Sequence, residues 1–348
     1  MGPTETTRPP HHREIPVRVP IPVLRTTRAL TVATALAATA LTGAVPAAAA
    51  APSGSGETTP RLKVLTYNTF LFSKNLYPNW GQDHRAQAIP EAGFFQDQDV
   101  VVLQEVFDNS SSDALMRKAA DRYPHQTPVV GRGKDGWDAT GGAYSGATPE
   151  DGGVAVLSKW PILHKEQHVY ADACGSDAMS NKGFAYVVLD VNGTKVHVVG
   201  THTQATDSSC GDGEDVADRA RQFRAIDSFL DAKNIPGDEQ VLVAGDMNVD
   251  RHGEEYPSML GNAGLVAADE RTGHRYSFDT AENSVAADRY PDDPSEDLDF
   301  VLHREGHLRP EGWGNHVVKE RSAPWTVKSW GKEYTYTNLS DHYPVTAN

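Results

Sequence analysis

Residues 240–248 read QVLVAGDMN. Val241 to Ala244 form an unbroken apolar run, the pattern of a strand buried on both faces. Gly245 ends the run, and Asp246 and Asn248 follow with one residue between them. On an extended backbone that spacing points both side chains to one face, where they can act together on one phosphate or one cation. A lone Gly-Asp pair is equally an ordinary strand-to-turn transition. The pattern carries weight because it recurs along the chain.

Asn68 lies near the end of an expected strand over 61–70 (RLKVLTYNTF), and Glu105 closes another over 99–107 (DVVVLQEVF). His202 closes the second arm of a hairpin, 184–191 and 195–203, turned at Asn192-Gly193. Asp299 lies in DLDF, 297–300, and Asp341 and His342 lie in NLSDHYPV, 338–345. Adjacent residues on a regular strand point opposite ways, so Asp341 and His342 share a site only if the chain turns before Pro344. Taken singly, Glu105 reads as a solvated strand end, His202 as a structural histidine and Asp299 as a capping acid. Together they repeat one chemistry. Strand ends of layered α/β proteins converge on one rim, where ligands bind. A rim of Asp, Glu, Asn and His suits a hard cation such as Mg²⁺.

Between these strands, 84–96 reads as a helix interrupted at Pro90, and 113–123 and 214–232 as helices. Residues 130–151 read as a long Gly/Asp/Thr-rich loop, and 153–158 as a strand. The tail, 325–345, alternates as a hairpin and a last strand. The expected fold class is α/β, with mixed sheets covered by helices.

The chain has 348 residues with a formal net charge of −15. Arg25 and Arg28 precede an apolar run, 29–45, and a small-residue exit, which describes a secretory signal peptide over 1–50. A membrane anchor needs about 20 strongly apolar residues, and this Ala-rich run falls short. Residues 51–60 (APSGSGETTP) read as a flexible linker, leaving 61–348 as one catalytic domain. Loss of 1–50 removes five Arg and two Glu and takes the net charge to −18. Such acidity opposes nucleic acid as a partner. The two cysteines, Cys174 and Cys210, lie in polar segments, and in an exported chain they suggest one disulfide joining two loops.

Asn68, Gln104-Glu105, Gly200-Thr201-His202, Gly245-Asp246-Met247-Asn248, Asp299 and Ser340-Asp341-His342 resemble the endonuclease/exonuclease/phosphatase superfamily, with its deoxyribonuclease I-like fold. Longer strings resemble the secreted bacterial neutral sphingomyelinases: 76–82 (LYPNWGQ), 105–109 (EVFDN), 150–155 (EDGGVA), 158–162 (SKWPI), 180–186 (SNKGFAY) and 340–345 (SDHYPV). The resemblance runs from about Leu62 onward.

It implies a four-layer α/β/β/α sandwich and a Mg²⁺-dependent phosphodiesterase, with Mn²⁺ or Co²⁺ as substitutes. Glu105 binds the central metal beside Asn68. Asp246 and Asn248 position the phosphate and the attacking water or hold a second metal, and Asp341 completes the rim. His342 stands in this group both as the general base, oriented by Asp299, and as a metal neighbour. His202 hydrogen-bonds the phosphate or protonates the leaving oxygen, and Lys182 is a cation near the substrate. Asn109, Glu150 and Asp151 form an edge site for a second divalent cation. The expected substrate is sphingomyelin in membranes or micelles, cut to ceramide and phosphocholine by a secreted monomer. A broader phospholipase C, or a secreted nuclease of the same fold, is the alternative.

Residues 325–336 (WTVKSWGKEYTY) place Trp330 at a hairpin tip, where an indole suits a transient contact with a lipid surface. Well-known members carry two consecutive aromatics there, whereas Gly331 follows Trp330 here, which weakens the expected adsorption.

Overall fold

The computed structural model describes residues 59–329 and 331–348. The expected signal peptide, most of the expected linker and Trp330 lie outside the described residues. Among those described, no helix is long and apolar enough to cross a membrane.

Two seven-stranded mixed sheets form the centre. The first runs, in spatial order, Glu270–Gly273, Gly314–Val317, Val345–Ala347, Val64–Asn68, Val100–Gln104, Ala155–Ser158 and His125–Gln126. The second runs Leu265–Val266, Asp299–Arg304, Gln240–Asp246, Thr194–His202, Gly183–Val191, Ile162–Val169 and Ala139–Gly142.

Period-two alternation explains the layers. Val64, Val100, Val102 and Val156 of the first sheet meet Val187, Val198, Leu242 and Val301 of the second in one core. Their neighbours Leu65, Val101 and Leu103 face outward against Ala86, Phe95 and Leu115 of the helical layer. On the other side Val199, Val243 and Phe300 pack on Phe223, Ile226 and Leu230 of the helix Glu214–Lys233. Strands covered on both faces need continuous apolar runs, and those runs are what made them visible in the sequence. Gly200 lets the sheets close: a Cβ there would meet Val102 Cγ1 at 2.8 Å. The four-layer α/β/β/α sandwich is thus the architecture observed.

Several boundaries differ from expectation. The helix expected over 113–123 is Asn109–Ala119, because Asp108 caps it and accepts from Ser111 N at 2.8 Å. The helix over 84–96 resolves into Gln82–Ala88, a 3₁₀ turn Ile89–Glu91 and Gly93–Gln96. The loop 130–151 contains the strand Ala139–Gly142. The last strand begins only at Val345, since the chain bends through residues 337–341. Within the helix Glu214–Lys233, Asp218 and Arg219 are buried, with Arg219 paired to Glu255 at 2.8 Å.

Cys174 and Cys210 are joined, S–S 2.00 Å, across a separation of 36 residues. Changing both to serine is expected to lower unfolding stability by about 3–4 kcal/mol through loop closure, read by denaturant titration.

Glu320 gives a pH signature. Burial pushes its carboxyl up to about 7, against the opposing hydrogen bonds of Leu339 N and Asn338. A raised acid favours folding while protonated, so this contribution is complete below the ordinary glutamate value of about 4.3 and is lost as pH rises through about 7. Glu320→Gln is expected to flatten the fall in melting temperature between pH 5 and 8. Above pH 8 the variant should be the more stable protein by about 1–2 kcal/mol.

Candidate active site

Register brings the polar strand ends together. Asn68 pairs with Gln104 in parallel, so Glu105 emerges beside Asn68. In the second sheet His202 pairs with Asp246, and Asp246 pairs with Asp299. Val345 lies opposite Thr66 in an antiparallel ladder, which returns Asp341 and His342 to the same rim. Asp299 opens its strand and Asp341 and His342 precede theirs, whereas Asn68, His202 and Asp246 close theirs.

Glu105 adopts φ 55°, a left-handed conformation that costs a non-glycine residue about 1–3 kcal/mol and marks functional sites. Its Oε1 lies 3.9 Å from His202 Nε2, and its Oε2 is buried without a hydrogen-bond donor. Burial first, then the charge of Asp341, pushes this carboxyl up to about 8. Asn68 Nδ2 donates to Asp246 Oδ2 at 3.0 Å. Asp341 Oδ1 lies 3.0 Å from Ser340 Oγ. Asp246, Asp299 and Asp341 are buried around this cleft with Glu105 beside them, and Glu105 Oε2 and Asp299 Oδ1 lack a partner, an oxygen-rich set that fits a hard divalent cation.

His342 Nδ1 meets Asp299 Oδ2 at 2.8 Å, which leaves Nε2 facing Asp246 Oδ2 at 3.7 Å. Burial lowers the imidazole, but Asp299 and Asp246 outweigh it and hold His342 well above the usual histidine value. His202 behaves oppositely. Burial, with Lys182 and His342 adding positive charge, holds it well below the usual value. Its Nε2 lies 3.3 Å from Lys182 Nζ. Lys182 also donates to Asp177 Oδ2 at 2.8 Å and to Thr203 O at 3.2 Å.

Asn248 corrects the sequence geometry. Its φ is 48°, so Asp246-Met247-Asn248 is not extended. Instead Asn248 N donates to Asp246 Oδ1 at 2.9 Å, and Asn248 Nδ2 to Thr203 O at 3.0 Å. The two residues still share the rim, through a local turn rather than strand alternation. Asp341-His342 does turn, as sharing the site required.

The edge residues Asn109, Glu150 and Asp151 line a separate cleft of about 450 Å³ with Arg132. Asp151 is already engaged there, by Arg132 Nε at 2.8 Å and Gly153 N at 2.9 Å. The hairpin Trp325–Ser329 and Lys332–Tyr336 is present, turned at Gly331 with φ 77°. Sequence reasoning missed Arg85, fully buried in the helix Gln82–Ala88. It donates to Thr69 O and Phe70 O, both at 2.6 Å, which braces the loop after Asn68. It also missed Asp177, whose only signal was an acid five residues before Lys182.

Residues 65–342 match the model of the endonuclease/exonuclease/phosphatase family. A Sphingomyelinase C of Bacillus cereus is 47% identical over 293 residues, 82% of this chain and 88% of that protein. The crystal structure of Sphingomyelinase C from Streptomyces griseocarneus is 71% identical, with a TM-score of 0.82, covering 83% of this chain and 99% of that one. A beta toxin mutant of Staphylococcus aureus with bound magnesium ions is 44% identical, with a TM-score of 0.81, covering 82% and 98%. With this rim and these relatives together, the chain belongs to the endonuclease/exonuclease/phosphatase family and, within it, to the sphingomyelinase C group.

Proposed function

We propose that the protein is an exported Mg²⁺-dependent phosphodiesterase that hydrolyses sphingomyelin to ceramide and phosphocholine. The observation that carries the mechanism is the His342–Asp299 pair set across Asp246 from a buried Glu105 carboxylate oxygen that has no partner. Kinship with proteins named Sphingomyelinase C supports the choice of lipid.

Glu105, Asn68, Asp246 and Asp341 would hold the cation, with Asn248 beside them. When bound, Mg²⁺ supplies positive charge that polarises the phosphoryl oxygens and offsets the pull of the acids on His342. His342 Nε2 takes a proton from water. The water oxygen attacks phosphorus in line as the bond to the ceramide oxygen breaks, and the departing alkoxide takes up a proton from solvent water to give ceramide. Asp299 holds Nδ1 and so fixes the tautomer. His202, kept neutral, offers a hydrogen bond to the phosphoryl group rather than a proton. Lys182 adds positive charge alongside it. Asn109, Glu150 and Asp151 are proposed as the edge divalent site.

Residues 1–50 are proposed as an export signal, 51–60 as a linker and 61–348 as one catalytic domain acting as a monomer. We place the lipid contact at Trp330, on the sequence position between Ser329 and Lys332. Trp330→Ala is expected to weaken sedimentation with sphingomyelin liposomes several-fold and leave micellar turnover near wild type. Unchanged liposome binding would remove Trp330 from the contact.

The deciding assay is phosphocholine release from sphingomyelin and from phosphatidylcholine in mixed micelles, with Mg²⁺ and with EDTA. Release from sphingomyelin alone, abolished by EDTA, is expected. Release from both lipids widens the reading to a phospholipase C. Plasmid nicking without lipid hydrolysis overturns it in favour of a nuclease.

A further inference from the structure

Ser277 and Phe278 lie between the segments that carry Asp299 and His342. Ser277 is fully buried. Its Oγ accepts from Leu298 N at 2.8 Å and from Asp299 N at 3.2 Å. Its carbonyl accepts from Tyr343 N at 2.6 Å. One residue therefore fastens the backbone at Asp299 and at the residue after His342. Phe278 adds a second tie. Its backbone bridges both Glu296 and His342, and its ring lies 5.2 Å from the His342 ring.

A serine hydroxyl that accepts two N–H groups still has one hydrogen to give. Asp299 Oδ2 is committed to His342 Nδ1, while Asp299 Oδ1 is buried without another donor. A buried carboxylate oxygen left unpaired is costly. The Ser277 hydroxyl oxygen, 3.2 Å from Asp299 N, leaves its hydrogen free to turn toward that carboxylate.

We infer that Ser277 is a positioning residue for the Asp299–His342 pair, its hydroxyl hydrogen serving the Asp299 carboxylate and its main chain splinting the two segments. The inference rests on the phosphodiesterase reading for its kinetic consequence, but not for its structural one. Ser277 touches neither substrate nor cation in this account. It acts by holding a base in line, where a displacement of about 1 Å costs on the order of 100-fold in rate.

The test compares Ser277→Ala, which deletes the hydroxyl without adding bulk, with Ser277→Thr, which keeps it. Two readouts are taken: the kcat and KM of sphingomyelin hydrolysis with Mg²⁺, and the low-field proton resonance of the His342 Nδ1–H in ¹⁵N-histidine-labelled protein without metal. Ser277→Ala is expected to lower kcat about 10-fold or more at nearly constant KM and to shift or broaden the resonance. Ser277→Thr is expected to restore both at least in part. Wild-type kcat with an unmoved resonance in Ser277→Ala overturns the inference. So does a loss that follows melting temperature alone while the resonance stays in place. Should the wild-type protein release no phosphocholine while the resonance still responds to Ser277→Ala, the functional reading falls and the positioning role stands.

Discussion

His342→Ala is expected to yield a folded protein that still takes up Mg²⁺ and hydrolyses sphingomyelin with kcat lowered about 10²–10⁴-fold, the range of a lost general base. The geometry separates this role from that of a metal ligand. Nδ1 is committed to Asp299 at 2.8 Å. Only Nε2 faces the cleft, and one nitrogen cannot both bind a cation and receive a proton from water. Titration calorimetry with Mg²⁺ on the variant therefore decides between the roles. Retained affinity with lost turnover supports the base, and lost affinity makes His342 a ligand. Asp299→Asn should reproduce much of the kinetic defect, because an amide no longer enforces the tautomer with a negative charge.

Glu105→Gln is expected to abolish measurable Mg²⁺ binding and to lower turnover about 10³-fold or more, since metal charge stabilisation is worth several kcal/mol and each 1.36 kcal/mol is tenfold. The sign of its stability effect is the sharper test. Burial and Asp341 raise this acid to about 8, so the empty wild-type site is destabilised wherever the carboxylate must ionise. Without metal above pH 8, Glu105→Gln should melt at or above the wild-type temperature. With saturating Mg²⁺ the order should reverse, because only the wild type gains from the bound ion. Differential scanning calorimetry at two Mg²⁺ concentrations measures both. A variant less stable than wild type in EDTA would contradict the account of Glu105 as an acid that waits for a cation.

The central strands were legible because burial on both faces forces runs such as 100–104 and 240–244. The polar side chains that break those runs, Glu105 and Asp246, were legible for the same reason. Elements with half-exposed or short strands were not. Ile162–Val169 reads ILHKEQHV and is only partly buried, so no period stands out. Gly314–Val317 is four residues long. The roles of Ser277 and Arg85 were hidden for another reason. Each acts on backbone groups far away in sequence, and a hydroxyl or guanidinium that serves a distant carbonyl or N–H leaves no local pattern. The Asn248 geometry was misjudged because period-two alternation was extended past Asp246, where the strand ends and the chain turns.

The cleft is assembled from both sheets and from late sequence. Asn68 meets Asp246 across 178 positions, and Ser340 Oγ donates to the Asn68 carbonyl across 272. Val345–Ala347 is an interior strand, inserted between Gly314–Val317 and Val64–Asn68. Such long-range pairings form late, because the entropy of loop closure comes before the contacts that reward it. A partly folded chain thus lacks the seam that brings His342 and Asp299 to Glu105. The rim is complete only once Val345–Ala347 has slotted between its two neighbours, which makes the active site a product of the last steps of folding rather than of either sheet alone.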